Sequence, residues 1–199
     1  MAETQLVAVL LLVGFAEILT SDNLDIYQLL VDAPDMRKFV VTKEPLWTYN
    51  VTGRSHAQCK VDVMINETDT SIFFTRLFYY GAQKKKFSMV LEGQFNVIYP
   101  EHMLIQRNGS KIYQLEQILY MSPNSSCAVI MITLINFRGP KSPPIRWYEL
   151  RVRNSSIIQG PDQGCEEEFD DLLTRQARVY QPYCQAILPY YPVRDTKSA

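Results

Sequence analysis

From about residue 36 to residue 153 the chain reads as a succession of short strand-like runs broken by turn chemistry. Nothing else in it limits the fold so tightly. Met36 to Thr42 is the first run. Cys59 to Ile65 alternates, with Val61, Val63 and Ile65 on one face. Ser71 to Tyr80 is rich in aromatics, and Phe87 to Tyr99 is one long strand or two. Met103 to Gln106 and Lys111 to Tyr120 flank Asn108-Gly109, a hairpin dipeptide. Ala128 to Ile135 is apolar but for Thr133, as expected of a strand buried on both faces. Arg146 to Arg153 follows the Pro-rich turn Gly139 to Pro144. These runs amount to about eight strands.

The flanks read as helical. Ser21 to Val31 places Leu24, Tyr27, Leu30 and Val31 on one face, and Asp32-Ala33-Pro34-Asp35 ends it. Near the C-terminus, Phe169, Leu172, Leu173, Gln176 and Tyr180 recur at helical spacing. Glu166, Glu167 and Glu168 occupy the first turn, where carboxylates suit the helix dipole, and Pro182 bounds the end. A short N-terminal helix, about eight antiparallel strands and a C-terminal helix predict an all-β, up-and-down barrel with that helix packed outside. A barrel of this size holds one small ligand or fills itself with side chains.

The chain carries 4 cysteines, Cys59, Cys127, Cys165 and Cys184. Asn-x-Ser/Thr sequons begin at Asn50, Asn66, Asn108, Asn124 and Asn154. Sequons and paired cysteines together point to an oxidising, glycosylating pathway. The run Leu6 to Phe15 has the length of a signal-peptide core and is too short to span a bilayer, although the preceding MAETQ lacks Lys and Arg. The expected organisation is a signal peptide over 1–20, a barrel domain over 21–188 and a flexible tail over 189–199. The product is then secreted, extracellular, monomeric and without a membrane anchor.

Catalytic chemistry is sparse. His56 and His102 are the 2 histidines, both in turns, and no HExxH, P-loop, GxGxxG or GxSxG occurs. The cysteine spacings contain no CxxC, so disulfides are expected rather than a metal site. We expect no enzyme activity, no cofactor and no metal. The formal net charge is −1. It leaves no dominant electrostatic partner, and Lys84-Lys85-Lys86 reads as a solvated turn rather than a nucleic-acid patch. Carboxylates and aromatics are scattered over the strands: Glu44, Trp47, Glu92, Glu116, Tyr120, Trp147 and Glu149. Inside a lumen a carboxylate needs a partner, which a cationic ligand can supply, with aromatic faces adding attraction. Pattern alone assigns Tyr148, Leu150 and Val152 to the core, and Glu149, Arg151 and Arg153 to water.

Five local motifs in order change that assignment: Glu44-Pro45-Leu46-Trp47, then Cys59, then Cys127-Ala128-Val129-Ile130, then Tyr148-Glu149-Leu150, and finally Cys165 before and Cys184 after an acidic segment. In this succession the chain resembles the tick salivary lipocalins of the histamine-binding-protein type. The resemblance implies an eight-stranded lipocalin-type barrel that binds a small host mediator, a histamine- or serotonin-like amine or an eicosanoid, fatty acid or sterol, suppressing host inflammation or haemostasis. It implies that Glu44, Glu116 and Glu149, with Trp47, line an amine site, and that the Glu149 face is the lumen face. Tyr120, Trp147 and Arg151 complete the expected ligand-binding set. Alongside it we expect the pairs Cys59–Cys184 and Cys127–Cys165, of the three pairings that four cysteines allow.

Two departures count against an amine. Ala128 stands where the family has an acid, and Arg151 where it has an aromatic. Arg151 could neutralise Glu149 or receive a lipid carboxylate. The alternative of another class is a filled barrel acting by surface contact with a host protein.

Overall fold

The computed structural model describes residues 34–53, 55–107, 110–135, 143–172 and 175–188. The expected signal peptide, the Ser21–Val31 helix, the Asn108-Gly109 turn with its sequon and the 189–199 tail lie outside these residues.

Nine strands form one sheet. Eight of them close a barrel: β1 (Leu46–Thr52), β2 (Ala57–Glu67), β3 (Ser71–Tyr80), β4 (Lys85–Phe95), β5 (His102–Arg107), β6 (Gln114–Met121), β7 (Cys127–Leu134) and β8 (Ile145–Arg153). Each pairs antiparallel with its sequence neighbour, and β1 closes the ring by pairing with both β8 and β2. All the odd-to-even connections therefore lie at one end, the mouth, and the even-to-odd connections at the other.

The first expected strand is instead helix α1, Met36–Val40. Asp35 is its N-cap, with Oδ1 accepting from Arg37 N (2.8 Å) and Lys38 N (3.3 Å). The Pro34-Asp35 pair, read as closing a preceding helix that lies outside the described residues, starts this one. α1 lies across the end of the barrel opposite the mouth. Met36 N donates to Pro100 O (3.0 Å) and Arg37 Nη1 to the carbonyls of Thr68 and Asp69 (2.9 and 2.8 Å). Arg153 Nη2 bonds the carbonyls of Lys38 and Phe39, both at 3.2 Å.

The expected long C-terminal helix is also shorter. α2 covers Gln163–Asp170, with Asp162 as N-cap, and buries Cys165 and Phe169. The chain then forms strand β9 (Gln176–Arg178) instead of continuing to Tyr180 as helix. β1 pairs with β2 only at Leu46 and Trp47, so Asn50–Thr52 has a free edge, and β9 supplies its partner. A 3-10 helix follows at Pro182–Ile187.

Two apolar clusters result. The outer one lies between the barrel wall and α2 with the C-terminal segment, and includes Trp47, Val61, Leu150, Val152, Phe169 and Tyr180. Disulfides Cys59–Cys184 and Cys127–Cys165 pin that layer to the wall. The inner cluster fills the closed end with Phe39, Leu46, Phe74, Leu91, Met103 and Ile130. β7 serves both, with Val129 facing outward and Ala128, Ile130 and Ile132 inward.

Candidate ligand-binding site

The centre of the lumen is ionic. Lys60 and Asp62 on β2, Arg76 on β3, Glu116 on β6, and Glu149 and Arg151 on β8 converge there. The two-residue strand period places them. Asp62 opposes Arg76, and Phe74, two residues along β3, belongs to the inner cluster. On β8 the alternation sends Trp147, Glu149 and Arg151 inward, while Tyr148, Leu150 and Val152 pack outward. The amphipathic pattern is thus inverted. Its apolar set faces a core outside the barrel rather than inside it.

These six groups form a continuous chain of charge-assisted bonds. Lys60 Nζ reaches both Glu149 oxygens at 2.5 and 2.8 Å. Arg151 Nε donates to Glu149 Oε2 (2.9 Å) and Arg151 Nη1 to Glu116 Oε2 (2.7 Å). Arg76 binds Glu116 Oε1 (2.9 Å) and grips Asp62 with two bonds of 2.7 Å. Neutral donors complete the carboxylates. Trp147 Nε1 (3.0 Å) and Thr48 Oγ1 (3.3 Å) serve Glu149, and Gln114 Nε2 (2.5 Å) serves Glu116. Asp62, Glu116 and Glu149 balance Lys60, Arg76 and Arg151, so the set is neutral, as a buried ionic group must be to persist.

The protonation states follow from this packing. Burial works to raise the Glu116 carboxyl, but Arg151 and Arg76 outweigh it and hold it at about 2. Glu149 faces the same burial and is held far below the usual carboxylate range by Lys60 and Arg151. Burial, with Arg76 alongside, brings Lys60 down to about 8 against the pull of Glu149. Arg76 and Arg151 are buried too, and their carboxylate partners more than offset that cost and raise both above the usual guanidinium value.

Arg151 Nη2 is the exception to the hydrogen bonding. It stands 2.9 Å from Glu149 Oε2 in an ion pair but makes no hydrogen bond. Arg151 lines a cavity whose other walls include Leu46, Met64, Ile72, Phe74 and Met103. The cavity has room for about one water.

The expected site residues divide. Glu116, Trp147, Glu149 and Arg151 meet in the lumen. Glu44 lines the same cavity near the closed end, and its Oε2 accepts from Ser155 N at 2.8 Å. Trp47 does not face the lumen. It opposes Val61 and Val152 in the outer core, its Nε1 donates to Asn154 Oδ1 (2.9 Å), and its ring meets Tyr180 edge-on at 5.1 Å. Its neighbours Leu46 and Thr48 take the inward positions. Tyr120 is likewise outside, packed against the outer cluster. A bulge between Ile118 and Tyr120 adds Leu119 to β6 and flips every later side chain to the opposite face. Glu92 sits on the outer surface, taking bonds from Ser71, Gln94 and Gln106.

Sequence reasoning missed Lys60, Asp62 and Arg76. A usable signal existed. With both faces of the wall covered, every charge on a lumen face needs a counterion, and the lumen positions of β2, β3, β6 and β8 carry three of each sign. Among the described residues no group of three or more metal-ligating side chains assembles, and no helix is long and apolar enough to cross a membrane.

No protein-family model matches the sequence, and no curated protein matches it. Solved structures do. The AM182 serotonin complex superposes with a TM-score of 0.50 at 16% identity, over 71% of this chain and 85% of that one. Japanin from Rhipicephalus appendiculatus bound to cholesterol gives 0.55 at 10% identity, over 76% of this chain and 100% of that one. Lobster apocrustacyanin A1 gives 0.51 at 14% identity, over 71% and 81%. The fold is the lipocalin barrel.

Proposed function

We propose that this protein is a secreted, glycosylated, non-enzymatic lipocalin that sequesters a small, largely apolar host mediator bearing a carboxylate or hydroxyl, rather than a biogenic amine. One observation carries the reading: Glu116 and Glu149 each already hold two cations, while Arg151 Nη2, ion-paired with Glu149, donates no hydrogen bond. An amine would have to compete with Lys60 or an arginine for carboxylate oxygens that are already engaged. An acidic or hydroxylated lipid head meets a planar guanidinium suited to oxygen acceptors, within walls of Leu46, Ile72 and Phe74. Space for a tail requires side chains to move, and Met64 and Met103 are the flexible ones on that wall. Barrels of this fold hold serotonin in one neighbour and cholesterol in another, which supports small-ligand binding in general. The two disulfides suit an extracellular setting. Binding alone lowers the free mediator, and with it host inflammation or haemostasis.

Calorimetric titration with a long-chain fatty acid and with serotonin tests this. The fatty acid should bind, and Arg151→Lys should weaken it about tenfold by removing one charge-assisted bond. Serotonin should bind poorly to the unmutated protein and to Glu149→Gln. Tighter binding of serotonin than of fatty acid, abolished by Glu149→Gln, would overturn the proposal. A second reading, a filled barrel acting by contact with a host protein, is favoured by one feature, a cavity with room for about one water. It becomes the account if neither ligand binds.

A further inference from the structure

The net charge of −1 conceals a division between the two ends of the barrel. Among the described residues, the connections at the mouth carry Lys84 and Lys111 and no Asp or Glu. Those at the closed end, 68–70, 96–101 and 122–126, contain Asp69 and Glu101 and no Lys or Arg. Lys84, Lys85, Lys86, Arg107, Lys111 and Arg146 are all exposed around the mouth. Asp170 and Asp171, at the end of α2, are the acids on its β9 side.

The β3–β4 hairpin adds aromatic surface to this charge. Phe78 and Phe87 stack at 5.4 Å, and Tyr80 meets Phe87 edge-on at 6.1 Å. Lys85 Nζ lies 5.5 Å from the Phe87 ring centre. Phe78 and Tyr80 share the strand face of Phe74 and Arg76, and they oppose Phe87 and Lys85. All four thus line the inner side of the rim, on the way to the lumen. Tyr80 is 51% exposed. Lys84 packs over Tyr183 at 4.6 Å and Lys86 bonds Ile187 O at 2.8 Å, so Lys85 is the lysine directed over the opening.

We propose that this rim, centred on the β3–β4 hairpin, docks on the surface of a bilayer containing anionic phospholipid, so that an apolar ligand passes between bilayer and barrel. Anionic headgroups attract Lys and Arg, and aromatic rings settle at headgroup depth. A soluble polyanion would use the cations alone and leave the inner-rim aromatics without a role. Ligand transfer rests on the proposed function, whereas docking is measured with an empty barrel and stands or falls apart from it.

Sedimentation with vesicles of phosphatidylcholine alone, and with phosphatidylserine added, tests the docking. Binding should appear only with phosphatidylserine and should fall as salt is added. Lys84→Gln with Lys85→Gln should weaken it about fivefold per lysine. Tyr80→Ser should weaken it severalfold with the salt dependence unchanged. Lys38→Gln with Lys43→Gln, at the opposite end, should leave it intact. The proposal is overturned by equal binding to neutral vesicles, by no binding to anionic ones, by equal weakening from the closed-end pair, or by binding to a sulfated polysaccharide in place of vesicles.

Discussion

The two faces of the barrel wall solve the same burial problem with opposite chemistry. Outside, under α2 and the C-terminal segment, the wall presents Trp47, Val61, Leu150, Val152 and two disulfides. Inside, one residue away on the same strands, it presents Asp62, Arg76, Glu116, Glu149 and Arg151. Apolar contact needs no particular geometry and gains free energy with every side chain covered. A buried ion pair gains little over an apolar pair and is costly once one partner is lost. The outer face and the apolar closed end therefore carry stability, and the ionic centre of the inner face carries specificity and sensitivity.

Removing the disulfides tests the outer half most strongly. In the loop-closure account, bridges across separations of 125 and 38 residues contribute about 5 and about 4 kcal/mol. Denaturant unfolding of Cys59→Ala/Cys184→Ala should show the larger loss, and a larger loss from Cys127→Ala/Cys165→Ala would contradict that ranking. On the inner face, Arg151→Met leaves Glu116 and Glu149 each short of a cation and should cost about 3–5 kcal/mol. The same substitution in a Glu149→Gln background should cost clearly less, because the two residues share one network. Strict additivity would mean that the ion chain is not the unit described here.

Acid separates the two faces further. Glu116 is held at about 2 in the folded state, below the roughly 4.3 of an unfolded chain. A depressed carboxylate contributes stability above the unfolded value and loses it as pH falls through the folded one. Stability should therefore drop between about pH 4.3 and pH 2, by an amount on the order of 3 kcal/mol for this group. Glu149 acts in the same direction. Thermal melts over that range should steepen for the native chain and flatten for Glu116→Gln, and identical slopes would remove Glu116 from the account. The smallest effect is expected at Trp47. Trp47→Phe deletes the bond to Asn154 and should cost about 1 kcal/mol without changing ligand affinity. A change in affinity would return Trp47 to the lumen.

Particular residues show how far the sequence could be read. The spacing of turns and strands led to a barrel, and the Ala128–Ile135 run, apolar but for Thr133, marked a strand covered on both faces. Alternation also separated Glu149 and Arg151 from Leu150 and Val152, but alternation has no sign. It cannot say which face is the lumen until α2 is known to cover the other. The boundary at Asp35 was legible, but the helix that begins there was read as a strand. Other outcomes depended on partners distant in the chain. The bulge that carries Tyr120 outward exists in the register with β7. β9 forms because β1 leaves an edge beyond Trp47. Lys60, Asp62 and Arg76 became part of a site only when closure of the barrel brought β2 and β3 against β6 and β8. Local sequence determined which residues become strands and which of them share a face, because those follow from backbone periods of a few residues. Tertiary structure decided which face is inside and which charges meet, because both depend on covering elements and counterions supplied from tens of residues away.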